Sequence, residues 1–520
     1  MLWIIFGLLT VVVVVVVLIY LYGTRTFSYW AKRGVRHDAP IPFFGTAKRQ
    51  FLHQISVADM YHEMYQKYSS EKFVGYYLMT TPVLVLRDPE LIKCLLVSDF
   101  NYFSARNMLP MDEHPEPLLK NLFSCEGDLW KLLRQRMTSA FTTGKLKAMF
   151  PLIVARAEKL QRVAGEAAAS GAEVDVRDLM ARYTTDFIGA CGFGIDTDTL
   201  SDNNNMFRKL GKRIFVQTKR DAIVTILKYA IPSLMTRFHF FSPEVENVTV
   251  KLVKTIMAER NYKNSGKNDY IDMLLDLKGK GKMIGESLMH TKADGTPCMA
   301  EIEMDDEVLV AQVFLFFAAG SETSSAVSSY TLHELAHHPE HRRRCQEEID
   351  AVLARHDNKL SYDSVREMKF LDMCFSEGMR LFPSVGFLQR MCVKPYIIPG
   401  TDMTIDPGVN IIVSVKGLHL DPQYFPDPEE FRPERFHPDN VSAINKYTYL
   451  PFGTGPRACI GERLGYMQSL AGLAALLSQF SVAPSISTLR KPIIDPKVLG
   501  VQSVKGGLPL TLTARKKIKA

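Results

Sequence analysis

The sequence predicts a mainly α-helical fold with minor β structure, preceded by a transmembrane helix. Three observations lead there. Most segments after about residue 50 carry apolar side chains at helical spacing, and only two short runs read as strands. Residues 306–335 form a long proline-free stretch, mostly apolar in its first half. Residues 2–22 carry no charge at all.

The 520-residue chain is 47% hydrophobic and 23% charged, an ordinary globular composition able to bury a large core. No Pro/Gly/Ser-rich linker interrupts the later sequence. The expected organisation is a transmembrane segment at 1–23, a basic, proline-containing linker at 24–45, and one large domain over 46–520. The net charge of +7 is spread along the chain, which argues against a nucleic-acid arm.

Taken in order, the segment 2–22 would span roughly 31 Å as a helix, the thickness of a bilayer's hydrocarbon core. No small-x-small cleavage pattern follows it, so it reads as a permanent anchor and not as a signal peptide. Arg25, Lys32, Arg33 and Arg36 lie after it, and positive residues stay cytoplasmic, so the bulk of the chain is expected in the cytosol. The eight cysteines are scattered singly, as in a reducing compartment, and the sequons at Asn247 and Asn440 would be unused there.

The prolines of 39–45 make a stiff elbow. Strands are expected over 82–88 and 410–415, and helices over 153–169, 176–190, 247–262 and 364–381. A helix over 306–335 would be about 45 Å long. Asp305 or Asp306 caps its start and Pro339 stops it. It is apolar from Val308 to Ala319 except for Gln312, so it should run through the core. The Lys-Gly-Lys-Gly-Lys run over 278–282 lacks the spacing of a phosphate loop and is expected to be a flexible surface loop. His333, His337 and His341 read as a surface cluster at a helix end, with Pro339 breaking their register as metal ligands.

The strongest chemical signal is Phe-Gly-Thr-Gly-Pro-Arg-Ala-Cys-Ile-Gly over 452–461. It places Cys459 in a glycine-punctuated loop just before an amphipathic helix carrying Leu464, Met467, Ala471 and Ala474. A helix N-terminus lowers a thiol's pKa and favours thiolate. Gly455 and Gly461 would let backbone approach a planar group and donate amides to the sulfur, Phe452 would shield it, and Arg457 offers a fork for a carboxylate. A lone cysteine is usually just a small buried hydrophobe. Five positions at these offsets, however, recur about once in a million windows at ordinary residue frequencies.

This loop resembles the haem-binding loop of cytochrome P-450 enzymes. The resemblance covers essentially the whole chain and implies that family's fold, a large helical domain with a small sheet-rich lobe. It implies haem b (iron protoporphyrin IX) as cofactor, with Cys459 as the metal ligand. Ala-Gly-Ser-Glu-Thr-Ser over 319–324 is similar to the family's oxygen-activation motif. There Gly320 leaves room for a diatomic ligand, Thr323 hydrogen-bonds it and Glu322 relays protons. Read without the family, the same residues allow a threonine bonded back to its own helix beside an exposed glutamate.

Glu377, Arg380 and Arg435 resemble the family's buried Glu-Arg-Arg network, a structural brace. Alone, Glu377 and Arg380 would read as a solvated surface pair. Trp130, Arg134, Arg390 and Arg457 are carried over as haem-propionate partners, and Phe316, Ala319 and Val385 as substrate-lining residues. Residues 231–241 fit either an element at the membrane interface or a helix packed on the core.

The resemblance implies a monooxygenase inserting one oxygen atom from O2 into lipophilic xenobiotics or endogenous lipids and hormones. Electrons would come from NADPH through a flavoprotein, the NADPH–cytochrome P-450 reductase, with cytochrome b5 as a candidate further donor. Docking is expected on Lys131, Arg134, Arg136 and Lys145. The expected location is the endoplasmic reticulum membrane, single-pass, with the catalytic domain on the cytosolic face. A haem-thiolate isomerase or dehydratase, and a non-enzymatic haem- or lipid-binding membrane protein, remain alternatives.

Overall fold

The computed structural model describes residues 2–107, 116–202, 204–216, 218–267, 269–498 and 500–516. Helix α1 (Leu2–Thr24) is exposed along almost its whole length and carries no charged side chain. It is long and apolar enough to cross a membrane. Its last turn is fastened to the rest of the chain: the Tyr22 hydroxyl donates to the Ala230 carbonyl at 2.7 Å. A second helix passes the same test, but 72% of its apolar window is buried inside the protein, which makes it a core helix.

Strands β1 (Phe73–Leu78) and β2 (Thr81–Leu86) form a hairpin, with Val74 opposite Val85. Next come α2 (Gly127–Thr138), α3 (Thr143–Ser170), α4 (Val176–Ile188) and α5 (Lys219–Ala230). A second hairpin, β3 (Met283–Thr291) and β4 (Pro297–Ile302), leads into the core helix α6 (Asp306–His337). After α7 (Lys369–Leu381), strands β5 (Phe387–Met391) and β6 (Asn410–Ser414) complete a four-stranded sheet in the order β1-β2-β6-β5. β2 and β6 run parallel, and the other neighbours antiparallel. Helix α8 (Glu462–Gln479) follows the glycine loop.

The Asp305 carboxylate accepts the Val308 N–H at 2.7 Å, so the expected cap does start α6. The helix is buried nearly all round because α4 packs along one side and α8 along another. One large apolar core gathers α2, α3, α4, α6, α7 and α8, while two smaller clusters sit under the four-stranded sheet.

The structure corrects several expectations. The helix expected over 364–381 is broken at Met368 into Tyr362–Glu367 and α7. The helix expected from residue 153 begins at Thr143 and continues through Pro151, because packing on the core outweighs the lost backbone hydrogen bond. The run 278–282 is tied down: the Lys282 carbonyl accepts from Arg136 at 2.8 Å, and Lys278 pairs with Asp306. The β3–β4 hairpin that follows it was not foreseen. The histidines do not form a surface cluster, since His333 is fully buried and its Nε2 lies 3.2 Å from the Arg490 carbonyl.

Candidate active site

The loop before α8 positions Cys459 from both ends. The Cys459 N–H donates to the Phe452 carbonyl at 2.9 Å. Gly453 and Gly455 both take positive φ, which a side chain would resist. At Gly455 a Cβ would lie 2.1 Å from the Leu96 carbonyl oxygen, so this glycine serves close packing on the neighbouring chain. Further back, the His419 ring joins the Arg380 carbonyl (3.1 Å) to the Leu450 N–H (2.9 Å), linking α7 to the loop.

The brace behind the loop is buried completely. Glu377 receives two bonds from Arg380, at 2.7 and 2.8 Å, and one from the Arg435 Nε at 3.3 Å. Both Glu377 and Arg380 are 0% exposed, unlike a solvated surface pair.

Cys459 faces a cavity lined largely by apolar side chains. Phe452, Cys459 and Gly461 from the loop line it, together with Phe316, Ala319, Gly320 and Thr323 from α6. Phe316 stacks on Tyr270 with ring centroids 4.2 Å apart. The Thr323 hydroxyl donates back to the Ala319 carbonyl at 2.7 Å, and a Cβ on Gly320 would meet Ile188 Cδ1 at 2.4 Å. Gly320 therefore also lets α6 and α4 pack closely.

The rim of the cavity is cationic. Trp130, Arg134, Arg457 and a residue that sequence reasoning missed, Arg106, all line it. The Arg457 guanidinium lies 4.1 Å over the Trp130 ring and bonds the Ser104 and Cys125 carbonyls at 3.0 Å. Arg134 donates to the Ala458 carbonyl at 2.9 Å, and Arg106 to the Arg457 carbonyl at 2.9 Å. Arg390 is buried beside them, although it does not line the cavity.

Among the described residues no carboxylate lies within salt-bridge distance of Arg106, Arg134, Arg390 or Arg457. Among the same residues, buried Arg390 Nε and Arg457 Nη2 have no hydrogen-bond partner. Burial and mutual repulsion push Arg457 down to about 9, burial pushes Arg106 down to about 10, and Arg390 falls well below the usual range. Such a cluster fits an anionic ligand, and the carboxylates of haem are of the required kind.

The sulfur behaves differently from expectation. Burial pushes the free Cys459 thiol up, and the Gly461 N–H pulls it down by less. Desolvation thus outweighs the N–H groups at the helix N-terminus in the free thiol.

Two expected site residues lie elsewhere. Glu322 does not line the cavity: its carboxylate is held by Arg177, with Arg208 at 3.9 Å. Val385 does not line it either, while its neighbour Ser384 does. Of the expected docking cations, Lys131 pairs with Glu286 on the β3–β4 hairpin at 3.6 Å, and Arg136 bonds the Leu277 and Lys282 carbonyls just before it. Lys145 stays exposed.

A helical fold that brings a cysteine sulfur, a threonine and several arginines to one cavity defines a haem-thiolate protein. A family model described as Cytochrome P450 matches residues 36–509. The chain is 36% identical over 508 residues to Cytochrome P450 6B2 of Helicoverpa armigera, covering 96% of this chain and 97% of the relative. It is 37% identical over 478 residues to Cytochrome P450 6a2 of Drosophila melanogaster (90% and 91% covered) and 36% over 515 residues to Cytochrome P450 6B1 of Papilio polyxenes (98% and 99%). The chain belongs to the cytochrome P450 family. It is a membrane-anchored monooxygenase of lipophilic substrates that uses haem b and electrons from NADPH passed on by a redox partner.

Proposed function

We propose that Cys459 supplies the thiolate ligand of haem b. Arg106, Arg134, Arg457 and the Trp130 indole N–H hold its propionates, Arg390 adds positive charge from behind them, and Phe452 shields the sulfur. The observation that carries this reading is the pairing of one sulfur with an arginine cluster that has no carboxylate of its own, on a single cavity. When bound, the haem supplies oxygen activation, and the thiolate donates electron density that favours O–O cleavage.

The protein's own residues do the rest. Thr323 turns its hydroxyl from the Ala319 carbonyl into the cavity and holds a proton there. Phe316, Ala319 and Ile188 bind the apolar substrate and keep water out. Glu322 joins proton delivery only after leaving Arg177.

We place the catalytic domain, residues 46–520, on the cytosolic face of the endoplasmic reticulum, behind an anchor at 1–23 and a linker at 24–45. The electron donor is a membrane-bound NADPH–cytochrome P-450 reductase docking on the cysteine side near Lys145, with cytochrome b5 as a second donor. The substrates are lipophilic foreign compounds, in keeping with an apolar cavity. Reduction under carbon monoxide should give the red-shifted thiolate band, and Cys459→Ala should abolish it. An unchanged band in that variant would remove the ligand assignment. Spin-state titration with a broad panel of lipophiles tests the substrate class, and a response to one hormone-like compound alone would defeat it.

A further inference from the structure

Three successive carbonyls of α6 carry a second hydrogen bond. Ala319 receives the Thr323 hydroxyl at 2.7 Å, Gly320 the Gln468 amide at 3.0 Å, and Ser321 the Thr184 hydroxyl at 2.8 Å. Side-chain donors inserted into the i→i+4 ladder weaken the main-chain bonds they share and bend a helix. Here α6 stays helical throughout, so the turn is held by its neighbours in one geometry.

The three donors have different origins. Thr323 is local and Thr184 comes from α4. Gln468 comes from α8, the helix that begins directly after the Cys459 loop. Its side chain lines the same cavity as Gly320, Thr323 and Cys459. It is 1% exposed, a polar residue on the apolar face that carries Leu464, Met467 and Ala471. Among the described residues its remaining acceptor, Oε1, has no partner, and neither does the adjacent Ser469 Oγ, which lines the cavity too. Burying a primary amide for a single hydrogen bond is costly unless the group has a further task.

We propose that Gln468 is a positioning residue for oxygen activation. Its amide donates to the Gly320 carbonyl and fixes the turn that aims Thr323. Its Oε1, with Ser469 Oγ, accepts hydrogen bonds from water carrying protons towards Thr323. The ligand-side helix is thereby tied to the oxygen-side turn by one side chain. This rests on the reading of Cys459 and Thr323 given above; failure of that reading would appear as absence of the thiolate band in the unsubstituted protein.

The test compares Gln468→Leu, which removes donor and acceptor, with Gln468→Glu, which keeps the shape but turns the donor into an acceptor facing a carbonyl. Ser469→Ala serves as a milder variant should either fail to fold. All three should retain the thiolate band and an unchanged KM. Gln468→Leu and Gln468→Glu should lower kcat on the order of tenfold, as expected for a small misplacement of a reacting group. More of the NADPH consumed should then end as hydrogen peroxide, and the solvent isotope effect should change. Amide hydrogen exchange of the haem-free chain over 319–325 should accelerate in both, because the turn loses a fastening. Ser469→Ala should shift the peroxide fraction alone. Unaltered peroxide fraction, isotope effect and exchange in the folded variants would overturn the proposal. A fall in KM or in thermal midpoint alone, with coupling intact, would assign Gln468 a purely structural role.

Discussion

The Nε2 of His419 accepts the Leu450 N–H at 2.9 Å while its Nδ1–H donates to the Arg380 carbonyl at 3.1 Å. This pairing requires a neutral ring. Burial, with Arg380 nearby, holds His419 down at about 3, and burial holds His62 and His333 down at about 4. Unfolded histidine titrates near 6.5. Since the folded values lie below the unfolded one, the native state binds fewer protons in this range. The stability contribution is therefore fully present above about pH 6.5 and is lost as pH falls towards 4. Thermal midpoints at constant ionic strength should be level at pH 7–8 and drop steadily between pH 6.5 and 4.5, above the range of ordinary carboxylates. A level curve down to pH 4.5 would refute this account.

Removing Glu377 leaves Arg380 charged and fully buried. Breaking a buried pair by deleting one partner costs about 3–5 kcal/mol. Glu377→Ala is expected to yield little folded protein, and Arg380→Lys to fare nearly as badly, because an ammonium cannot match the two-pronged geometry at 2.7 and 2.8 Å. Solubility and haem incorporation on expression measure the outcome. Normal yield from both would show that the brace is dispensable.

The Arg177–Glu322 pair is partly buried, with side-chain exposures of 6% and 13%. A double-mutant cycle with Arg177→Met and Glu322→Gln should give a coupling energy of about 0.5–3 kcal/mol in chemical denaturation. Additive effects would mean that the contact holds nothing together.

Gly455 and Gly461 should respond in opposite ways to alanine. At Gly455 the φ of 72° alone costs about 1–2 kcal/mol for an L side chain, and the Cβ would lie 2.1 Å from a carbonyl oxygen. At Gly461 the nearest atom to a Cβ is Phe141 Cε1 at 3.8 Å. Gly455→Ala should lose the folded chain, while Gly461→Ala should keep near-normal melting as the haem-free chain. Equal behaviour of the two would undo the packing argument.

What the sequence revealed depended on how locally each feature is encoded. Phe452, Arg457 and Cys459 stand at fixed offsets in one loop, so their association needed no tertiary information. Arg106 stands in a loop without periodicity and meets Arg457 only across 351 positions of chain, so only the folded structure brings it to the rim. Gln468 left a trace, a polar residue in an apolar stripe, which was the one available signal. The β3–β4 hairpin exposes Ile284, Met289 and Met299 and buries Ser287, so the apolar–polar alternation of a strand was faint. The break at Met368 has neither proline nor glycine to mark it, whereas Pro151 marks a break that packing suppresses.

The bond from Tyr22 to Ala230 makes the anchor more than a leash. A leash would let the globular part tumble above the bilayer, offering any side to the lipid. A rod bolted to the end of α5 fixes which side leans on it. Leu234 and Phe238, 72% and 51% exposed, lie just beyond that bolt, on the side the rod would bias. Cutting away α1 to make the protein soluble removes a compass as well as a mooring, so oily compounds dissolved in lipid would no longer meet the same entrance.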